Sequence, residues 1–304
     1  MYSIIIPTFN NRFIVHTLDS LIKSIKPYKV EILIIINKSA VSQLNRLNRY
    51  IKSGAQNISV IVTEDIPVPI KRNIGAIKAK YNNLIFIDDD CVVPVNFFSY
   101  LSQIENENFI RGGVLFRKSQ GSFSKAYAEL RKDWYSNPEA IYTPNLIISK
   151  DLLFKVGLFD EFAQGGEDVE WGVRAKQCNL KPRYFYNLLI EHTVENLNKK
   201  SFRAWLGYGR NKAYLIIKNI LNKKYSLAFR QFKRINVFNN LKNKKSFTYN
   251  LVVLCVNLIQ LLGFLLYFTP TYMRVRGRTP SNTYLKSKKY VEYCNHKVLN
   301  VYYV

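Results

Sequence analysis

The chain has 304 residues, with 45 Lys and Arg against 21 Asp and Glu, a formal net charge of +24, and 48% hydrophobic residues. That length supports one large domain or two ordinary ones, and the composition excludes a disordered, collagen-like or low-complexity chain. The charge is uneven: residues 1–196 hold 24 basic and 20 acidic side chains, whereas residues 197–304 hold 21 basic ones against Glu292 alone. A block this basic calls for an anionic partner, either nucleic acid or an acidic membrane leaflet. Cys91, Cys178, Cys255 and Cys294 lie far apart with no C-x-x-C pair, so neither a zinc site nor a disulfide framework is indicated, and a reducing cytosolic compartment is expected.

From the amino end, "MYSIIIPTFNN" reads as a first strand rather than a secretory leader, since it has no basic n-region or cleavage site. "SIII" at 3–6, "VEILIII" at 30–36, "ISVIVT" at 58–63 and "LIFI" at 84–87 are short, β-branched and apolar on both faces. That is the pattern of parallel strands covered by helices. Helical spacing lies between them at about 12–25, 40–53 and 70–80, giving βαβαβαβ and a doubly wound sheet. Further strands are expected at 109–116 and 183–190, with helices near 122–134, 149–156 and 167–178.

After residue 200 the character changes. Phe202, Trp205, Leu206, Ala213, Ile216, Ile217 and Ile220 mark one face of a helix, with Lys and Arg on the other. "LVVLCVNLIQLLGFLLYF" at 251–268 then sits in a charge-free window from 246 to 273. Eighteen helical residues rise roughly 27 Å, close to the roughly 30 Å of a bilayer's hydrocarbon core. Basic clusters flank it on both sides, so a single span would put one on the disfavoured side, and an interfacial helix competes with a spanning one. Basic residues that bracket an apolar helix favour lipid over nucleic acid.

Ligands of such sheets bind beyond the carboxyl ends of the strands. Pro7, Thr8 and Asn10 follow the first strand there, Asn37 and Lys38 the second, and Asp88, Asp89 and Asp90 the fourth. No G-x-G-x-x-G follows the first strand, so a dinucleotide fold is not expected. Along a strand end Asp88 and Asp90 project to one side and Asp89 to the other. Two hard oxygen donors on one side suit Mg²⁺ or Mn²⁺. Glu167, Asp168 and Glu170 open a helix, where acids complement the dipole or where one of them serves as a general base. His192 follows a strand and is a candidate metal ligand, and Lys71, Arg72 and Asn73 at a helix start form a candidate diphosphate cradle.

In this order, "SIIIPTFNN", "KRNIGAIKA", "LIFIDDD", "RGGV", "TPNLIISKDLLFKVGLFDE", "GGEDVEWGVRA" and "IEHTVEN" resemble a family 2 glycosyltransferase of the GT-A fold, over roughly residues 1–215. The resemblance implies an α/β fold with a mostly parallel sheet. It implies a catalytic domain at 1–215, with a nucleotide-sugar half to about 116 and an acceptor half from 117. A basic, membrane-associating helical extension would occupy 216–304, with its apolar helix at 249–272. It further implies that Pro7, Thr8, Asn10, Asn37, Arg72, Asp88 and Asp89 bind the nucleotide sugar. Asp90 and His192 would hold Mn²⁺ or Mg²⁺, Asp168 would be the base, and Glu167 its acceptor-side neighbour.

The implied activity is inverting, metal-dependent transfer of one sugar, hexosyltransferase-like, to a hydroxyl of a lipid-linked or surface-glycan acceptor. Its expected place is the cytoplasmic side of the cell membrane, peripheral or anchored by the apolar helix, and nucleic acid is not an expected partner. Two departures from the family pattern matter. Asn37 stands where the family usually has an Asp that reads the nucleobase, so a UDP-sugar is favoured but less sharply specified. "SFRAWLGYGRNKA" stands in place of Q-x-x-R-W, which favours single additions over polymerisation. The alternatives are a nucleotidyltransferase on a similar sheet, or a non-catalytic basic module that binds membrane or nucleic acid.

Overall fold

The computed structural model describes residues 1–8, 13–43, 45, 47, 50, 57–104, 107–117, 120–193, 199–233, 241, 245–275 and 282–303. Its centre is a run of parallel strands, β1 (Tyr2–Thr8), β2 (Val30–Asn37), β3 (Ile58–Thr63) and β4 (Asn83–Phe86). Successive isoleucines of β1 face opposite ways, and both faces are covered. Ile4 and Ile6 pack with Leu18 and Leu21 of α1 (Ile14–Ser24), while Ile5 packs with Ile70 and Ile74 of α2 (Val68–Lys78). A strand buried on both sides has no polar face to present, which is why these segments read as unbroken apolar runs. Pro67 and Pro69 start α2 where a missing N–H costs nothing.

The sheet continues through β5 (Cys91–Val92), β6 (Phe109–Arg117), β7 (Leu146–Ser149) and β8 (Arg183–Thr193), and ends on β9 (Val298–Tyr303). Its order is β5-β8-β6-β7-β4-β1-β2-β3-β9. β7 lies antiparallel between β4 and β6, and β9 lies antiparallel on β3, so the sheet is mixed around a parallel centre. The connecting helices are α3 (Phe97–Ser102), α4 (Ser122–Tyr135), α5 (Lys150–Val156) and α6 (Glu167–Gln177). Ser149 caps α5 by accepting from the Leu152 N–H at 3.2 Å. Of the helix expected at 40–53, residues 44, 46, 48, 49 and 51–53 lie outside the described residues, and Lys38–Gln43 forms a 3₁₀ turn.

Three helices make the carboxyl-terminal layer: α7 (Lys199–Leu221), α8 (Tyr225–Lys233) and α9 (Phe247–Val275). α7 runs unbroken through residue 215. Tyr249, Val252, Val253 and Val256 of α9 bury one face with Tyr127 and Leu130 of α4 and Trp205 of α7. The chain then returns to the sheet through α10 (Asn282–Leu285), α11 (Lys288–Asn295) and β9. Tyr290 is buried there, and its hydroxyl donates to the Phe159 carbonyl at 3.1 Å.

Candidate active site

A cavity of about 830 Å³ opens between the carboxyl end of β4, the start of α6, and α4, α7 and α9. Arg72, Asp88, Glu167, Asp168 and His192 all line it. They come from four separate segments, and the α/β crossovers bring them to one end of the sheet.

Arg72 is the hinge of the arrangement. Its guanidinium donates to Asp88 Oδ1 at 2.6 Å through one terminal nitrogen and to Glu167 Oε1 through the other. Burial alone would disfavour that cation, but Asp88 and Glu167 hold its pKa above the ordinary value. Glu167 is in turn fixed by the Gly165 and Gly166 N–H groups, each donating to Oε2 at 3.0 Å. Gly165 has φ +77°, and a Cβ on Gly166 would fall 1.8 Å from the Asn211 amide nitrogen. The two glycines thus set the turn and let α7 close on the loop.

Asp168 sits at the mouth of α6, half-buried, and accepts from the Val169 N–H at 2.7 Å and the Thr143 N–H at 3.3 Å. Its pKa is pushed up to about 7, first by burial and second by the neighbouring Glu167 charge, with Arg72 opposing. A carboxylate poised near neutrality accepts a proton far better than an ordinary aspartate.

The three aspartates lie beyond the end of β4 in a turn, which the Cys91 N–H closes by donating to the Asp88 carbonyl at 3.2 Å, and their side chains diverge. Asp88 turns to Arg72. Asp89 turns to β1, where Thr8 Oγ1 donates to its Oδ2 at 2.5 Å, while Thr17 donates to its carbonyl at 3.0 Å. Asp90 turns to His192, with 3.4 Å between Oδ1 and Nε2, and Asp88 Oδ2 lies 4.0 Å from the same nitrogen. Burial, and then the Arg131 charge, pull the His192 pKa down to about 4. The ring is therefore neutral near pH 7. Its Nδ1 lies 3.1 Å from the Thr193 carbonyl, and donation there leaves the Nε2 lone pair facing two carboxylates.

In that tautomer the Nε2 lone pair and the two carboxylates form a donor set that fits a divalent metal. Cys91 completes a cluster in which the ligand atoms of Asp90, Cys91 and His192 lie within 4.8 Å of one another. Burial and the adjacent aspartates push its thiol pKa well up, so it stays protonated and offers a hard cation little.

Other expected residues have local tasks. Pro7 and Thr8 close β1, and Asn10 lies outside the described residues. Asn37 is buried and its Oδ1 accepts from the Ile66 N–H at 3.3 Å. Of the three residues at the start of α2, only Arg72 faces the cavity. Lys71 Nζ donates to the Thr8 carbonyl at 2.6 Å, and Asn73 pairs with the Phe159 backbone, both of its bonds being 2.8 Å.

Sequence reasoning missed the far wall. Trp134, Tyr135, Tyr142 and Tyr208 line it, with Arg131 stacked 4.8 Å over Phe116 and 5.4 Å over Tyr135. The aromatic run "YAELRKDWYSNPEAIY" was the available signal, but no spacing rule says which rings turn inward. Behind the site, Lys218 of α7 donates to Asp160 at 2.6 Å and to Glu170 at 2.8 Å, and Arg174 donates to Glu170. This buried ion network clamps α6 to α7.

Residues 3–148, just under half of the chain, match the family model described as glycosyl transferase family 2. The S. aureus TarS 1–349 structure is similar over 91% of this chain and 91% of its own, at 15% identity and a TM-score of 0.54. A second TarS 1–349 structure, in complex with UDP-GlcNAc, gives 14% identity and 0.54 over 91% and 92%. The mannosyltransferase PcManGT from Pyrobaculum calidifontis, in complex with GDP-Man and Mn²⁺, gives 12% identity and 0.53 over 97% and 83%. At these identities the likeness shows the fold, and that fold is GT-A. No curated protein sequence matches the chain.

Proposed function

We propose that this glycosyltransferase moves one sugar from a nucleotide-sugar donor, a UDP-sugar favoured, to a hydroxyl of a lipid-linked or surface-glycan acceptor at the cytoplasmic face of the membrane. One observation carries the reading. Asp88 beyond the end of β4, His192 and a carboxylate with a pKa near 7, Asp168, face the same cavity, and Arg72 ties Asp88 to Glu167 beside that carboxylate.

In this reading Pro7, Thr8, Asn10 and Asn37 border the nucleoside, and Asp88 accepts from its ribose. Asp89 acts through Thr8, holding the end of β1. Asp90 and His192 would hold Mn²⁺ or Mg²⁺, which supplies positive charge to stabilise the departing diphosphate. Arg72 keeps Asp88 and Glu167 in place and adds its own charge near the diphosphate. Asp168 takes the proton of the acceptor hydroxyl as that oxygen bonds to the anomeric carbon. The bond from that carbon to the diphosphate oxygen breaks, and its electron pair leaves with the nucleoside diphosphate. Attack from the face opposite the leaving group inverts the anomeric centre, as a water does between opposed carboxylates in inverting hydrolases. The aromatic wall of Trp134, Tyr135, Tyr142 and Tyr208 offers stacking faces to acceptor sugar rings.

The test is release of nucleoside diphosphate from a panel of nucleotide sugars with Mn²⁺ and membrane-derived acceptors, with the product's anomeric proton followed by NMR. The reading expects one donor to react with inversion and Asp168→Asn to slow the reaction by about 10²- to 10⁴-fold. Retention, or full activity of Asp168→Asn, would remove the proposed mechanism.

A further inference from the structure

α9 is apolar over most of its circumference, and the fold buries one side of it. Tyr249, Val252, Val253, Val256 and Phe264 are buried. On the opposite side Leu258, Leu262, Leu265 and Leu266 recur at three- and four-residue spacing and remain 47%, 43%, 62% and 57% exposed. A helix that is hydrophobic all round is ordinarily buried all round or set in lipid. Beside this stripe, α7, α8 and α9 enclose an open apolar groove of about 730 Å³, lined by Ile216, Ala228, Phe232, Phe264, Leu265 and Phe268. Tyr225, Phe229 and Phe232 of α8 are more than half exposed on the same side, at 63%, 60% and 56%. An exposed apolar surface this continuous marks an interaction site.

Charge identifies the partner. Residues 199–278 contain 17 Lys and Arg and no Asp or Glu. Arg203 and Lys223 are exposed on α7 and the turn that follows it. Bulky apolar side chains on a stretch of chain that carries basic and no acidic residues match the interface of an anionic phospholipid bilayer, where acyl chains take the former and headgroups the latter.

The packing also decides between crossing the bilayer and lying on it. Asn257 and Gln260 are turned inward, 9% and 5% exposed, and Lys212 Nζ donates to Gln260 Oε1 at 2.7 Å. Tyr249 donates to Asp133 Oδ2 at 2.5 Å. α7 and α9 meet backbone to backbone: a Cβ on Gly209 would fall 2.0 Å from the Gln260 carbonyl oxygen, and one on Gly263 would fall 2.4 Å from that of Leu206. A spanning α9 would have to leave these contacts and carry Asn257 and Gln260 into hydrocarbon. As folded, it can sink only its outer stripe.

We propose that the outer stripe of α9 and the α7–α8–α9 groove dock this enzyme on an anionic bilayer, with α9 lying in the interface rather than crossing it. This names the partner surface of the proposed activity, and it rests on that reading only for the acceptor's being membrane-borne. Gln260 faces the catalytic cavity and Phe264, one turn along α9, faces the groove, so docking brings the cavity to the bilayer surface.

The experiment adds the purified full chain to preformed vesicles and floats them on a density gradient. Vesicles of three parts phosphatidylglycerol to seven of phosphatidylcholine are compared with pure phosphatidylcholine. The wild type is expected to float with the first and at least tenfold less with the second. The double variant Phe232→Glu/Leu265→Glu is expected to lose at least tenfold of that binding. A second pair, Leu258→Ser/Leu262→Ser, tests the stripe with smaller changes if the first fails to fold. Thermal unfolding, and stabilisation by UDP with Mn²⁺, should be unchanged in a folded variant. A wild type that stays at the bottom of the gradient overturns the inference, as do folded variants that float like it. A dimer in mass photometry that the variants dissolve without loss of vesicle binding also overturns it, since the face then covers a second copy. Vesicle docking without nucleotide binding would instead sink the donor assignment and leave the docking surface standing.

Discussion

The Asp90 carboxylate and Nε2 of His192 stand 3.4 Å apart because the two-residue strand β5 pairs antiparallel with the end of β8, in the register Cys91↔His192. A strand this short adds little to the sheet, but it aims one residue of the aspartate run at a histidine from another part of the chain. Replacing either side chain should therefore weaken metal rather than fold. Asp90→Asn and His192→Ala are each expected to reduce Mn²⁺-dependent UDP binding by about 10- to 100-fold. Titration calorimetry measures this, and EDTA should reduce the wild type to the level of the variants.

Asp168 governs the pH dependence of turnover. As the base it must be ionised, so the rate with saturating metal and donor should rise with pH through about 7 and level off above. Asp168→Asn should lower the rate by about 10²- to 10⁴-fold while leaving donor affinity within about twofold. Steady-state kinetics across pH 5.5–8.5 checks both statements.

The same carboxyl bears on stability with the opposite sign to a salt-bridged acid. Its folded value of about 7 lies above the ordinary 3.8, so the folded chain keeps a proton that the unfolded chain has released. Between those two values stability should fall as pH rises. Asp168→Asn removes the dependence: it should melt above wild type at pH 8 and level with it near pH 4, as read by differential scanning calorimetry.

Arg72 neutralises two carboxylates at once, with side-chain exposures of 5% for Arg72, 25% for Asp88 and 6% for Glu167. Arg72→Met leaves both without their cation and should cost about 3–5 kcal/mol in urea unfolding. Arg72→Lys keeps the charge without the two-pronged fork, and should recover part of the stability but little of the activity.

Lys218 should behave alike at a distance from the chemistry. Lys218→Met strands Asp160 and Glu170, both buried, and is expected to cost about 3–5 kcal/mol. Because Glu170 lies on α6 just beyond Asp168, the variant should also lower kcat more than it raises KM.

How far the chain could be read before its structure followed from period and position. The parallel core was legible because β1 to β4 are buried on both faces, and α1 and α2 because their apolar spacing is regular. β7 escaped because "LIIS" is short and merges into the capped helix that follows it. β9 escaped because its pairing with β3 is settled by α11 packing far back on the sheet. In the candidate site, Asp88, Asp90, Asp168 and His192 stand out in sequence by their places after strands and at a helix start, and the fold brings Asp88, Asp168 and His192 to one cavity with Asp90 3.4 Å from His192. The directions of the aspartates do not follow from strand alternation, because β4 ends at Phe86 and the run lies in a turn. Arg131 and its rings were not legible, since a cation over aromatic faces leaves no spacing rule in sequence.

Binding of a nucleoside diphosphate reports most directly on the central claim, that this cavity takes a nucleotide sugar on a metal held by Asp90 and His192. Thermal unfolding should be followed with UDP, GDP and their sugars, with and without Mn²⁺, for wild type, Asp90→Asn and Asp168→Asn. A ligand at 100 times its Kd stabilises by about 2.7 kcal/mol, a shift of several degrees. The account predicts Mn²⁺-dependent stabilisation by at least one of them, lost in Asp90→Asn and kept in Asp168→Asn. No stabilisation by any of them, or a shift that ignores both Mn²⁺ and Asp90→Asn, would contradict it.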